Sequence, residues 1–270
     1  MNIRNLIFFV LIITTFISTT HSQTEDEFKE AIKTLMTESY QSDSVGLEKS
    51  IRNLDRFTEY KQISHLVYYY KAFGKWQAVL RMSSGAMGSE HAKSLINSAV
   101  SDLKKSMSIK ENFADAIALD VNCHYILYYV EPQRRLEFVR HVSNSIKKAL
   151  ELEPENPRII LTDAQNIYHT PAQFGGDQMK GIARYKEAIE KFKKEKAELP
   201  LPQWGLPIAY AWLGNAYLNL QDENLLKAKE AFDQAVQLRH DFSWVKDTML
   251  PQLDNRINTF IKNSNLKPGK

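Results

Sequence analysis

Three segments of this chain align without a gap, and their spacing limits the folds open to it. They are LKKSMSIKENFADA from Leu103, IKKALELEPENPRI from Ile146 and FDQAVQLRHDFSWV from Phe232. Their helix-breaking positions, Glu111, Pro154 and His240, are separated by 43 and then by 86 residues. Because 86 is twice 43, a further copy is expected between the last two, and GIARYKEAIEKF at 181–192 supplies it. A period of this length is typical of stacked units that cannot bury an apolar face alone.

Each unit contains the spacing of an amphipathic helix. Apolar residues recur three and four positions apart, as at Leu225, Ala228, Phe232 and Ala235, which places them on one helical face. Asn156 followed by Pro157 is a helix start, since Asn caps the first turn and Pro fits its first position. The sequence therefore predicts an all-α chain of stacked antiparallel helix pairs.

The last unit identifies the kind of repeat. One predicted helix carries Tyr210, Leu213–Gly214 and Tyr217, and the next carries Ala228, Phe232 and Ala235. This arrangement resembles the tetratricopeptide repeat, in which an aromatic, Leu-Gly and Tyr precede Ala, an aromatic and Ala. In that family the Gly and Ala positions lie where the two helices approach closely. The resemblance implies a right-handed superhelix of helix pairs.

The domain boundaries follow from this pattern. We predict a repeat domain over 23–242, with the clearest repeats at 114–154, 158–198 and 206–240. A helix over 243–262 is expected to cap the last repeat, and Pro251 is expected to kink it. Residues 263–270 are predicted to form a disordered tail.

The N-terminus has the layout of a secretory signal peptide. Arg4 precedes an almost unbroken apolar run at 6–17, and the small residues Thr20 and Ser22 follow it. The run is shorter than the ~20 residues that span a bilayer, so a cleaved signal over 1–22 is favoured over a retained anchor. The chain has no Asn-x-Ser/Thr acceptor, which fits bacterial export. We expect a periplasmic or secreted protein with no membrane-spanning segment after signal removal.

Composition argues against several functions. Cys123 is the single cysteine, so no intrachain disulfide forms. The net charge is +3 with both signs interspersed, which gives no case for a nucleic-acid partner. No hydrolase, nucleotide-binding or paired-cysteine motif is present, and the histidines lack a metal-binding spacing such as His-Glu-x-x-His. We therefore predict no catalysis, no cofactor and no metal.

Two loops interrupt the repeats. HTPAQFGGDQMKG, at 169–181, is either a glycine-rich anion cradle or a long turn in which Asp177 caps the next helix. The turn is favoured, and Phe174 at its tip is a candidate contact. In ELPLPQWGLP, at 198–207, Trp204 either packs between helices or adds an exposed aromatic contact.

A partner-binding surface is predicted on the inner face. The resemblance implies that this face comes from the first helix of each pair, and that its Asn side chains can hold a peptide backbone. Counting back from each signature tyrosine places Asn166 and Asn215 there, with Asp120, Asp163 and Trp212 earlier on the same helices. The predicted partner-binding residues are Asn166, Asn215, Asp163, Asp120, His169, Phe174, Trp204 and Trp212.

Three functions from different classes remain. The favoured one is an exported scaffold or adaptor that binds a protein or peptide in its concave groove. The alternative is a periplasmic carrier of a small apolar molecule, or a transporter accessory protein resembling the tetratricopeptide component of solute transporters. A tunnel lined by Tyr68, Tyr128 and Tyr129 would favour the carrier, and an open groove displaying the two asparagines the adaptor. An enzyme acting on envelope polymers is the third.

Overall fold

A computed structural model describes residues 23–40, 44–82 and 86–265, and these residues form helices and turns without a strand. The predicted signal peptide at 1–22, with its alternative as an anchor, lies outside the described residues. The α-helices are α1 (23–38), α2 (Ser44–Asn53), α3 (Ser64–Leu80), α4 (Glu90–Ile109), α5 (Ala114–Val130), α6 (Arg135–Leu152), α7 (Pro157–His169), α8 (Gln178–Lys194), α9 (Leu206–Leu218), α10 (Leu225–Leu238) and α11 (Leu250–Asn265).

Short single-turn segments connect some of these helices. They are 3₁₀ turns at Leu54–Phe57, Pro132–Arg134, Ala172–Phe174 and Asp222–Asn224, and a π-helical segment at Trp244–Met249. Among the described residues, no helix has the length and apolarity needed to cross a lipid bilayer.

The predicted fold class is confirmed. Helices α3 and α4, α5 and α6, α7 and α8, and α9 and α10 pack as consecutive pairs, which stack into a tetratricopeptide-like superhelix. The last three pairs occupy 114–152, 157–194 and 206–238, close to the three clearest predicted repeats. One continuous core of apolar side chains runs from Phe28 in α1 to Leu253 in α11.

Glycine is required where paired helices cross. A Cβ atom at Gly214 of α9 would lie 2.6 Å from the ring of Phe232 in α10. A Cβ atom at Gly181 of α8 would lie 2.6 Å from the Cβ of Tyr168 in α7. Both distances are below van der Waals contact, so a side chain at either position would separate the helices.

The C-terminal helix covers the last repeat. Val245, Met249 and Leu253 are buried, and their helix packs on α10. Pro251 lies just after the π-helical segment, and proline lacks an N–H and crowds the carbonyl four residues earlier. The kink predicted at Pro251 stays a prediction. The helix continues to Asn265, so 263–265 are helical where the sequence predicted a tail, and 266–270 lie outside the described residues.

The two ends of the repeat array meet. Arg239, after α10, donates a hydrogen bond to the carbonyl of Met36 at 3.1 Å, and its guanidinium lies 3.4 Å from the ring centre of Tyr40. The rings of Tyr40 and Phe242 are 6.2 Å apart. The array therefore closes on itself at the end of α1.

Candidate functional site

The segment between α8 and α9 packs against the first helix pairs. Trp204 is 2% exposed, and its ring lies 5.6 Å from Phe73 and 5.5 Å from Trp76, both on α3. Its indole N–H donates to the hydroxyl of Tyr69 at 2.6 Å. Packing between helices is thus confirmed for Trp204, and its predicted role as a partner contact is wrong because the side chain is buried.

A buried arginine holds the same segment in place. Arg158, at the start of α7, is 1% exposed and donates to Glu195 at 2.7 Å and to the carbonyl of Pro202. The hydroxyl of Tyr70 donates to the carbonyl of Leu201 at 3.0 Å. Burial raises the pKa of the Glu195 carboxyl, an effect that the neighbouring Arg158 opposes. We call residues 195–205 the plug, because they pack against α3 and α7, the first helices of two pairs.

The loop before α8 has the predicted turn geometry. Gly175 adopts a φ of 93°, in the left-handed region. The carboxylate of Asp177 accepts a hydrogen bond from the backbone N–H of Lys180 at 3.0 Å, and this bond lowers the pKa of Asp177. The cap is confirmed, and it occupies the place an anion would take. Phe174 at the loop tip is 75% exposed.

Four aromatic side chains from α7, α9 and the segment after α10 form a continuous row. The rings of His169 and Trp212 are 5.5 Å apart, those of Trp212 and Trp244 are 5.1 Å apart, and those of Trp244 and Phe242 are 6.1 Å apart. His169 ends α7, Trp212 lies on α9, and the other two begin the C-terminal segment. We call these four side chains the aromatic row.

The row is open to solvent and uncharged. His169 is exposed and the other three rings are half-buried. Partial loss of solvent around the imidazole lowers the pKa of His169 below its ordinary value, which favours the neutral ring, and a neutral imidazole can accept a hydrogen bond or ligate a metal.

Polar residues flank the aromatic row. Asn166 precedes His169 by three positions and Asn215 follows Trp212 by three, so each shares a helical face with its ring. Both asparagines are half-buried, and the amide oxygen of Asn215 accepts from Asn219 at 3.2 Å. Asp163, one turn before Asn166, is paired with Arg184 at 2.9 Å. The structure thus brings together five of the predicted residues.

Asp120 lies elsewhere. It is 3% exposed on α5, and its carboxylate is directed at two histidines, His124 and His141. The prediction that Asp120 contacts a partner is therefore wrong, because the carboxylate is used inside a helix pair. Trp244 and Phe242 were not predicted from the sequence as site residues. Their position just after the break of the last repeat, where the next inner-face helix would begin, was the available signal.

The clefts do not match the predicted tunnel. One, of about 250 Å³, lies between α1, α3 and the plug, and its lining residues are Lys33, Met36, Thr37, Tyr70, Leu199 and Gln203. A second, more open cleft of about 690 Å³ has as its lining residues Gln23, Asp26, Glu27, Glu30, Ala31, Thr34, Asn53 and Arg56. Tyr68, Tyr128 and Tyr129 line neither cleft, and Tyr129 is 69% exposed.

The structure is that of an all-helical repeat protein with a row of partly exposed aromatic side chains. No known protein family matches the chain, and no curated protein matches it. Among solved structures it is similar to the HusA haemophore from Porphyromonas gingivalis, with 21% identity over 73% of this chain and 94% of that one, and a TM-score of 0.58. A weaker likeness is to yeast Tom70, with 13% identity over 83% of this chain and 56% of that one, and a TM-score of 0.31. The likeness to the haemophore shows a shared helical fold, and neither protein is described as an enzyme.

Proposed function

We propose that this protein is a carrier that binds a flat, mainly apolar small molecule of the porphyrin type across the aromatic row. The observation that carries the proposal is the row itself: four contiguous rings, all at least partly exposed, on one face of the array. Isolated exposed aromatics are ordinary. A continuous group of them is typical of binding sites for ligands or partners.

The chemistry of the row suits a planar macrocycle. Aromatic rings gain roughly 0.5–1.5 kcal/mol per favourable ring contact beyond the burial of area, and a flat ligand can contact several rings at once. The neutral imidazole of His169 offers a nitrogen to a metal at the centre of such a ligand. The amides of Asn166 and Asn215 are placed to donate to polar groups at its edge.

The likeness to a haemophore supports this class of ligand. The similar region spans nearly all of the haemophore, 94% of its length, so the likeness is to that protein as a whole and not to one part of it. The predicted signal peptide supports a role outside the cytoplasm, where a carrier would collect or deliver such a molecule. We propose on this basis that the chain is exported.

Ligand titration tests the carrier proposal. Purified protein would be titrated with haemin and with metal-free protoporphyrin, following the porphyrin absorption band and the quenching of tryptophan fluorescence. We expect saturable binding of both by the unmodified protein, and about tenfold weaker binding of both by Trp212→Ala, since 1.4 kcal/mol is a factor of ten. His169→Ala should weaken and spectrally shift the haemin complex only.

Tyr129→Ala is the matched control, because it removes an exposed ring far from the row in sequence, on α5. It should leave both titrations unchanged. Equal binding by Trp212→Ala and the unmodified protein, or no saturable binding of either compound, would contradict the carrier proposal.

A protein or peptide partner is the second candidate, and the two half-exposed asparagines favour it. In that case a cross-linked pull-down from an envelope extract would recover one protein reproducibly, and Asn166→Ala with Asn215→Ala would lose it. If that partner is recovered and no porphyrin binds, the adaptor function would be favoured over the carrier function.

A further inference from the structure

A separate cluster of metal-ligating side chains lies in the α5–α6 pair. Asp120 and His124 are four residues apart on α5, which places them on one face, and His141 faces them from α6. One ligand atom from each of the three residues lies within 4.8 Å of the others. This cluster contains no residue of the aromatic row.

The cluster is half enclosed. Asp120 is 3% exposed and His124 is 8% exposed, whereas the side chain of His141 is 40% exposed. The ring of Phe138 lies 5.6 Å from that of His124 and closes one side. Two of the three groups are therefore held away from water, and the third leaves a path to the surface.

The present contacts already fix the three side chains. His141 Nε2 lies 2.5 Å from a carboxylate oxygen of Asp120, and His124 Nδ1 lies 3.3 Å from the same oxygen. His124 Nδ1 is also 2.8 Å from the backbone carbonyl oxygen of Asp120, which orients the imidazole. Such a carbonyl contact is a common support for metal-ligating histidines.

The buried carboxylate lacks a permanent counter-charge. Within the described ranges, the ion pairs of Asp120 are those with His124 and His141. No lysine or arginine of the described chain pairs with it. A divalent cation held between the three side chains would place a fixed positive charge beside this buried carboxylate.

We propose that Asp120, His124 and His141 bind a divalent transition-metal ion, with zinc as the best fit, and leave an open coordination position towards solvent beside His141. Two imidazoles and a carboxylate suit zinc better than calcium or magnesium, which prefer all-oxygen sites. Two ligands of one tetrahedral zinc ion lie roughly 3.4 Å apart, given bond lengths of about 2.1 Å. His124 can offer its Nε2, because its Nδ1 contacts the backbone carbonyl, and one candidate ligand atom of each of the three residues lies within 4.8 Å of the other two.

Zinc uptake by untagged protein tests this site. Protein stripped with a chelator and dialysed would be titrated with zinc chloride by calorimetry, and bound zinc would be counted by elemental analysis. We expect one zinc ion per chain. His141→Ala and Asp120→Asn should each weaken binding by at least tenfold, and a cobalt-loaded sample should show visible absorption that both variants lose.

Two controls keep the result interpretable. His91→Ala removes an exposed histidine on α4 and should bind zinc as the unmodified protein does. Circular dichroism on His141→Ala, whose altered side chain is at the surface, checks that the helices remain. The proposal is overturned if folded His141→Ala retains full zinc binding, if His91→Ala loses as much, or if the unmodified protein takes up no zinc. Porphyrin titration of His141→Ala should match that of the unmodified protein. The metal-site proposal and the carrier proposal can therefore be refuted independently of each other.

Discussion

The two loops that interrupt the repeats have similar compositions, but the aromatic residue of one is exposed and that of the other is buried. The loop at 169–177 and the plug at 195–205 each contain proline, a glycine with positive φ and one large aromatic residue. Phe174 in the first is 75% exposed, whereas Trp204 in the second is 2% exposed. Proline and glycine therefore mark where the repeat is interrupted, and they do not say where the inserted segment lies.

Their hydrogen bonds explain the difference. The first loop is held by its neighbours: the N–H of Asp177 donates to the carbonyl of Ile167 at 3.0 Å, and that of Phe174 to Pro171 at 2.9 Å. The plug is held by residues distant in sequence, Tyr69, Tyr70 and Arg158. A loop with local partners can stay at the surface, whereas one whose carbonyls bond to distant side chains is part of the core.

The largest expected loss of stability comes from replacing Trp204, the aromatic residue of the plug. Trp204→Ala should lower the free energy of unfolding by about 3–5 kcal/mol, because it removes a fully packed ring and a buried hydrogen bond. Urea unfolding would measure the change. Phe174→Ala is the matched control and should stay within about 0.5 kcal/mol, as expected of an exposed site. Equal losses in the two variants would show that the loops do not differ as described.

A substitution within a repeat gives a reference value for these losses of stability. Gly214→Leu should destabilise the protein by about 2–4 kcal/mol, because its side chain would collide with Phe232 at the helix crossing. Thermal unfolding followed by circular dichroism would report it. Gly88→Leu, where nothing lies within 4 Å of an added Cβ, should leave the unfolding temperature nearly unchanged. An unchanged value for Gly214→Leu would remove the repeat assignment there.

Two glycines with positive φ, Gly175 in the first loop and Gly205 in the plug, allow the backbones of the two loops to be compared. Gly205→Ala should destabilise by about 2–3 kcal/mol, from left-handed strain and from a Cβ that would meet the ring of Phe192. Gly175→Ala faces the same strain in open space, so a loss of about 1 kcal/mol is expected. Urea unfolding of both variants is the measurement, and a larger loss at Gly175 would reverse the comparison.

The smallest expected effect is a pH dependence of the unfolding temperature, caused by His169 at the start of the first loop. Burial lowers the pKa of His169 below 6.5, so the folded state favours the neutral ring. The corresponding stability is complete above pH 6.5 and is lost as the pH falls through the folded-state pKa. The unfolding temperature should therefore fall slightly between pH 7 and pH 5, and His169→Gln should reduce that fall. An identical pH profile in His169→Gln and the unmodified protein would contradict this origin.

Local pattern was enough to predict the helix pairs. The spacing of Ala228, Phe232 and Ala235 and the Leu-Gly step at Gly214 predicted both the helices and their close crossing, because these features depend on residues within one repeat. The cap at Asp177 was predictable for the same reason. The C-terminal helix was also expected, although its π-helical start at Trp244–Met249 was not.

The candidate sites depended on contacts between repeats. Asn166, Trp212 and Asn215 were predicted as inner-face residues and His169 as a partner contact, but their continuity with Trp244 and Phe242 is set by the turn of the chain after α10. His124 and His141 lie 17 positions apart on different helices, so no sequence spacing links them, and the pairing of α5 with α6 brings them to Asp120.

The sequence by itself determined the helices, their pairing and the small residues at their crossings, since hydrophobic period and close packing are encoded within about 40 residues. The tertiary structure alone decided that the plug packs against α3 and α7, that Trp204 is buried while Trp212 stays partly exposed, and that Asp120 meets two histidines. Those outcomes depend on which helices become neighbours as the superhelix closes, and on which distant side chains then satisfy each buried polar group.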